Sequence, residues 1–496
     1  MTRVADTAVD PRAERPWPAM WSLVLGFFMI LVDSTIVTIA TPALMRAFDA
    51  DVTSVVWVTS AYLLAYATPL LVTGRLSDRF GPKPVYLTGL GIFTLASLAC
   101  GFATSIELLI AARVVQGLGA ALLTPQTMAV ITRIFPPDRR GAALGLWGGI
   151  AGLATLVGPL VGGLLVDSAG WAWIFFINIP VGVVGFLLVM RTVPRLPVHA
   201  HRFDVLGMAL SAAGMLALVL GVQEVARVGP VMWAVVALGV ALLAAFVRWQ
   251  WVQRGEPLLP LALFRDRNFT LGSIAISAVG FAITAQGVPL FLYLQTARGL
   301  SSTESALLLL PMAILAGVLS PLVGRALQGR DVRWTAVLGV AAVGGSLAWF
   351  AAWMAPGVDI AWLLLPSALL GIGNACLWSP ISITTTRNLP MAAAGAGAGV
   401  YNTMRQVGAV IGAAAIAALM TARLTAELGA EPTAAQESGQ GGLPEAAVLP
   451  FSTAMGQSML LPALVLLVAL VAALCFAPPR PAAAADEPTA RRADRG

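Results

Sequence analysis

Long apolar runs alternate with short polar breaks along almost the whole chain. Fourteen runs stand out, at about 19–43, 57–76, 85–103, 107–132, 142–166, 173–191, 204–224, 231–250, 270–293, 304–326, 334–354, 360–385, 396–421 and 457–477. Most reach the roughly 20 residues that a helix needs to cross the hydrocarbon layer of a bilayer. Turn and breaker residues separate them, as in "FPPDRRG" at 135–141. The pattern predicts an all-α membrane protein with 14 transmembrane helices. The first 18 residues are polar and broken by proline. They lack the short apolar core of a signal peptide and read as a loose tail.

One run poses a chemical question. Between Ala19 and Leu44 the single charge is Asp33, inside "LVDSTIVTIATP" at 31–42. On a helix, Asp33, Ser34, Thr38 and Thr41 share an arc of about 140°, with Leu31, Val32, Ile36 and Ile39 outside or at its edge. The carboxylate is expected to point inward with hydroxyls beside it. An ionised Asp at mid-membrane costs at least about 2.5–3.5 kcal/mol, so it needs a partner or a proton. Arg113, at comparable depth in "RVVQGLGAALLTPQ", is the nearest candidate on the same half of the chain. It shares an arc of about 100° with Gln116, Gly117, Ala120, Thr124 and Thr127.

A second intramembrane cation, Arg405, lies in "YNTMRQVGAVIG" at 401–412, where Asn402, Arg405 and Gln406 form a polar strip about 100° wide. The C-terminal half offers no acid at that depth. Arg405 is therefore expected to face a central cavity, in contact with water, a carbonyl or substrate. Glu224, at the outer end of the seventh run, is expected to be hydrated.

Composition agrees with the pattern. The chain is 58% hydrophobic and 11% charged, with a mean hydropathy of +0.85, against about 25% charged residues in a soluble protein. The net charge of +6 does not point to nucleic acid, because the cations follow topology. With the N-terminus placed inside, 24 of the 30 Lys and Arg fall on inside segments and four on outside loops, while acids divide 12 to 10. That is the positive-inside rule, which counts cations and not net charge. Both termini are then cytoplasmic, and the longest outside loop, 422–456, reads as mobile. Cys100, Cys376 and Cys475 lie in apolar runs and form no disulfide framework. His199 and His201 sit in a loop without other ligands, so no metal site is expected.

The chain also repeats itself. "QGLGAALLTPQTMAVITRIFP" from Gln116 and "LGIGNACLWSPISITTTRNLP" from Leu370 align at an offset of 254, which maps Gly117 to Gly371, Gly119 to Gly373, Arg133 to Arg387 and Gly158 to Gly412. Such repeats build many transporters. Runs one to six (19–191) and nine to fourteen (270–477) form two six-helix bundles, with an inserted pair at 204–250 and tails at 1–18 and 478–496. The repeat fails at the charges: Arg113 maps to Ser367, Gln116 to Leu370 and Arg405 to Ala151. These residues are not shared scaffold, as expected of functional groups.

"GRLSDRFGPKP" at 74–84 resembles the signature loop of the major facilitator superfamily, matching at Gly74, Leu76, Asp78, Arg79, Gly81 and Lys83. In physical terms, an acid and cations near helix ends can pair and favour one conformer, a latch expected at Gly74, Asp78, Arg79 and Gly81; the alternative is a simple topogenic charge cluster. "RVVQG" from Arg113 resembles the superfamily's fourth-segment motif, whose Arg is linked to proton movement. Gly158, Pro159, Gly162 and Gly163 resemble its G-P-x-x-G-G antiporter motif. As packing, that motif needs only small residues at a helix contact, here expected against the other half. "WAWIFFINIPVG" at 171–182, "YNTMRQVGAVIG" and "LVDSTIVTIATP" resemble patterns of the fourteen-span drug:proton antiporter branch, with Ala172 and Thr38 departing from it.

The resemblance implies two bundles around a cavity, a monomer, and proton-driven export of small, mostly lipophilic organic compounds across the cytoplasmic membrane. Asp33 and Arg113 would carry proton coupling. Thr38, Gln116, Asn402, Arg405 and Gln406 would line the cavity. The alternative is a proton symporter or facilitator for a small metabolite. No phosphate-binding G-x-x-x-x-G-K-[ST] loop is present, so the proton gradient and not a cofactor is the expected energy source. A membrane enzyme would need a nucleophile, metal set or acid pair, and Asp33 stands alone.

Overall fold

The structure is a computed structural model that describes residues 16–196, 204–253, 258–326, 332–389, 394–428 and 443–478, without the side chains of Leu71, Gly74, Arg75, Asp78, Thr132, Ala226, Arg325 and residues 394–396 and most of those at 137–156. Among the described residues there are no strands. The helices of the first half are α1 (Pro16–Ile39), α2 (Thr41–Phe48), α3 (Val52–Ala67), α4 (Leu70–Phe80), α5 (Pro82–Gly101), α6 (Ile106–Ile134), α7 (Pro137–Ala169), α8 (Trp173–Phe176) and α9 (Asn178–Thr192). Two follow, α10 (Val205–Val228) and α11 (Met232–Val252). The rest are α12 (Arg267–Ala285), α13 (Gly287–Leu292), α14 (Ser302–Leu307), α15 (Leu310–Ala326), α16 (Arg333–Trp353), α17 (Leu364–Thr386), α18 (Ala394–Leu428) and α19 (Glu445–Leu474).

Twelve of the described helical stretches are long and apolar enough to cross a membrane. Their outward faces require one. The span over α11 has a mean hydropathy of 2.0 with 11% of it buried in the protein, and Trp251 is 78% exposed. Only hydrocarbon solvent makes such a surface favourable. Two of the fourteen expected spans fall outside the twelve. The second breaks at Thr68–Pro69 into α3 and α4, since proline has no amide to continue the ladder. α3 also forms a 118° corner with α2. The fifth, within the 33-residue α7, is described with side chains only in its outer half. The outer loop differs as well. α18 runs on to Leu428 and α19 starts at Glu445, so much of 422–456 is helix, because Ala-rich and Leu-rich sequence extends both spans. Residues 429–442, like His199 and His201, lie outside the described residues.

Equivalent glycines pack equivalently in the two halves. A Cβ on Gly117 would meet the Tyr62 carbonyl of α3, and one on Gly371 the Met312 carbonyl of α15, at 2.4 Å in both cases. Gly119 lies on Phe93 and Gly89 of α5, and Gly373 on Val343 and Gly339 of α16. Gly158 meets α1 at Thr35, and Gly412 meets α12 at Phe281. The 254-residue offset is thus a packing offset: only glycine lets these helices approach to backbone contact. The halves meet through α3 against α18 and through α7 against α14 and α15. α10 lies along α18 and touches α3, and α11 packs on α10.

Candidate functional site

α1 presents Asp33 to α6 and α9, where it is fully buried. Arg113 Nη1 donates to Asp33 Oδ2 at 2.5 Å, and Gln116 Nε2 and Asn178 Nδ2 donate to Oδ1 at 2.9 and 2.8 Å. The i, i+3 spacing puts Arg113 and Gln116 on one face of α6, and Arg113 Nη1 also donates to Gln116 Oε1 at 2.6 Å. Asn178 opens α9. Its amide also donates to Ser97 Oγ, which donates in turn to the Phe175 carbonyl. Arg113 is itself fully buried; Nε donates to the Val58 carbonyl at 3.1 Å, and the guanidinium lies 3.9 Å from the Tyr62 ring centroid. A carboxylate with three donors offsets the cost of burying charge. In all three contacts Asp33 is the acceptor.

This arrangement revises several expectations. The hydroxyls of α1 do not serve Asp33: Ser34 and Thr38 bond back to the Leu31 and Thr35 carbonyls, leaving the carboxylate to other helices. Gln116 does not line a cavity; it is 0% exposed and spent on the ion pair. Thr38 faces Gly287 of α13 across the contact between halves. Glu224 is not simply hydrated, because α10 holds it against α3, where Trp57 Nε1 donates to it at 2.6 Å. Asn178 and Ser97 were missed. Asn178 is the lone polar residue inside the sixth run before Arg191, a signal that was legible.

Arg405 differs from Arg113. It is half-buried, and no acceptor among the described residues receives its guanidinium. α18 packs against α3, which carries Tyr62 and Tyr66, and Tyr401 is one turn before Arg405 on the same helix. Asn402, beside it, is half-buried and bonds back to the Ala398 carbonyl, while Gln406 is 3% exposed. The neighbouring Val410 and Ala414 join the apolar core of the first half.

Of the signature loop, Gly74 and Asp78 lie on α4 with side-chain surroundings outside the described residues. Arg79 is exposed beside Phe80. Gly81 joins α4 to α5 at φ +88°, a conformation that favours glycine. Lys83 reaches the end of α9 and donates to the Met190 and Val193 carbonyls at 2.8 and 2.6 Å, capping that C-terminus. In the antiporter-like motif, Gly158 and Gly162 pack on α1, within the same half, and only Gly163 meets the other half, at Ser302 and Thr303. Pro159 is buried between them.

Gly163 marks a seal at the face where α1 ends, called outer here after the charge pattern. Asp167 accepts from the Ser302 and Thr303 amides of α14 at 3.2 and 2.7 Å. Gln295 Nε2 donates to the Ile39 carbonyl at 2.9 Å, and Thr53 and Thr421 share a hydrogen bond of 2.9 Å. Each contact joins one half to the other. Burial works against ionised Asp167, but the hydrogen bonds from Thr303 and Ser302 outweigh it and hold the carboxyl below its ordinary value.

Residues 23–413 match the family model described as Major Facilitator Superfamily. The chain belongs to this superfamily. It is a transporter of the facilitator superfamily and not an enzyme. It is 50% identical to an uncharacterized MFS-type transporter, Rv1250, of Mycobacterium tuberculosis over 98% of this chain and 85% of that protein. It is 33% identical to the tetracenomycin C resistance and export protein of Streptomyces glaucescens over 82% and 76%. The multidrug export protein EmrB of Escherichia coli is 29% identical over 79% and 77%. Among solved structures, a bacterial homologue of the human lysosomal transporter Spinster, inward-facing and unoccupied, covers 95% of this facilitator with a TM-score of 0.63 at 17% identity, a likeness of fold.

Proposed function

We propose that this protein is a proton-coupled antiporter of the cytoplasmic membrane. It exports small, mostly lipophilic organic compounds by alternating access. It acts as a monomer of fourteen spans, in two six-helix bundles and an inserted pair, with both termini cytoplasmic. The relatives named for tetracenomycin C and multidrug export support the direction and the substrate range.

The observation that carries the coupling is the sealed Asp33–Arg113 pair. In the outward-sealed form, Asp33 accepts from three donors. Protonation removes its charge and its claim on Arg113. Arg113 keeps the Val58 carbonyl, Gln116 Oε1 and the Tyr62 face, so it is not stranded when the pair parts. Asp33 takes its proton from outside when that face is open and gives it up inward, with the return of Arg113 driving release. A buried pair whose cation has such fallback partners suits a switch better than a static brace.

The test begins with compounds to which expression confers resistance. In everted vesicles with an imposed pH gradient, wild-type protein accumulates them uphill. Asp33→Asn keeps downhill exchange and loses the uphill part. Uphill transport by Asp33→Asn with unchanged dependence on the gradient overturns the proposal. Movement of substrate and protons in the same direction supports the symporter reading instead.

A further inference from the structure

We infer that the transported compounds are aromatic amphiphiles bearing one negative charge, a carboxylate or ionised phenol, bound at Arg405. The inference rests on the export reading above and adds the charge of the cargo. Three observations carry it.

The acid of the span interior is closed to cargo. Asp33 is 0% exposed and has three donors, so a cationic compound finds no free carboxylate there. The other described acids stand at or near helix ends; among them Asp51 caps α3, Asp204 caps α10, Asp266 caps α12, Asp167 caps α14 and Glu224 is held by Trp57.

The span interior nevertheless holds a cation without an acceptor. Arg405 is half-buried and bonded to no described group. A guanidinium at that depth costs several kcal/mol unless it is hydrated or paired. Its helix cannot turn it away, because α18 is locked in rotation. Gly280 lies against the Arg405 carbonyl and Gly408 against the Ser277 carbonyl, both at backbone contact. Arg405 is thus held on a helix that packs against α3 of the other half.

The surroundings are aromatic, with one polar group to spare. Tyr401 precedes Arg405 by one turn on α18, and Tyr62 and Tyr66 lie on α3, which packs against α18. Tyr66 Oη is engaged by Thr124, but Tyr62 Oη is buried with no partner among the described residues. An unmade bond on a buried hydroxyl is costly, and a ligand oxygen held by Arg405 would satisfy it. The planar fork of arginine matches a carboxylate, and the tyrosine rings match a flat apolar body.

The test uses three isosteric probes on the full-length protein in detergent: anthracene-9-carboxylate, 9-anthracenemethanol and 9-anthracenemethylammonium. Binding is read by fluorescence titration. The wild type is expected to bind the carboxylate at least tenfold more tightly than the ammonium. Arg405→Gln should lose at least tenfold for the carboxylate and stay within twofold for the alcohol, with Arg405→Lys in between. Equal or tighter binding of the ammonium overturns the inference, as does an equal loss of carboxylate and alcohol in Arg405→Gln. If Arg405→Gln does not fold, the wild-type ranking and the Arg405→Lys protein decide. Detergent binding needs no gradient, so failure of proton coupling and failure of anion recognition are separable.

Discussion

Asp167→Asn tests whether the outer seal is electrostatic. The carboxylate caps α14 from the opposite half, receiving the Ser302 and Thr303 amides at 3.2 and 2.7 Å. Asparagine keeps one acceptor oxygen and loses both the second and the charge. Hydrogen bonds to a charged group are worth about 1.5–3 kcal/mol when buried. Asp167 is exposed to solvent, so screening reduces the loss to about 1 kcal/mol. That moves the balance between outward-sealed and outward-open forms about fivefold. The assay is double electron–electron resonance between spin labels at Ala169 and Leu307, exposed positions flanking the contact, with Cys100, Cys376 and Cys475 replaced. Asp167→Asn should increase the long-distance population by that factor. The pH dependence follows from the sign of the shift. A carboxyl held below its ordinary value of 3.8 stabilises the sealed form fully above that value, and the contribution fades as pH falls through the lower, sealed-state value. Asp167 should therefore contribute no change in distance between pH 8 and 5. An unchanged distribution in Asp167→Asn refutes the seal. Opening of the wild type between pH 8 and 5 that Asp167→Asn abolishes refutes the titration argument.

Gly163→Ala should open the same label pair more strongly. Its Cβ would stand 2.6 Å from the Ser302 carbonyl oxygen, backbone that cannot yield, for about 1–3 kcal/mol of strain; an unchanged distance would mean that α7 does not bear on α14. Lys83→Met should remove the cap on α9 and cost about 1–3 kcal/mol, read as a lower melting temperature in detergent. A melt equal to wild type would show the chain's single lysine to be dispensable for packing. The Asp33→Asn and Arg405→Gln experiments above address coupling and cargo in turn.

The pattern of residues alone was enough to reveal the solvent of this protein, most of its spans and its exceptional residues. Run length and composition demand hydrocarbon, because no soluble fold leaves α11 so bare. The 254-residue repeat foretold which glycines pack alike, since close helix approach leaves a local mark that each half carries independently. Asp33, Arg113 and Arg405 stood out because charge inside a span is expensive wherever it points.

Which polar groups meet came from packing between segments far apart in the chain. Asn178 is 145 residues from Asp33, yet it completes the carboxylate. Gln116 and Arg405 both read as cavity residues, but one is sealed into the ion pair and the other has no acceptor among the described residues. Gly163 faces the other half while Gly158, in the same motif, faces its own. The periodicity of one helix fixes a residue's direction relative to its neighbours in sequence. The absolute rotation of that helix, and the partner it finds, come from glycine contacts and side-chain packing among segments far apart in the chain, and these leave no linear pattern.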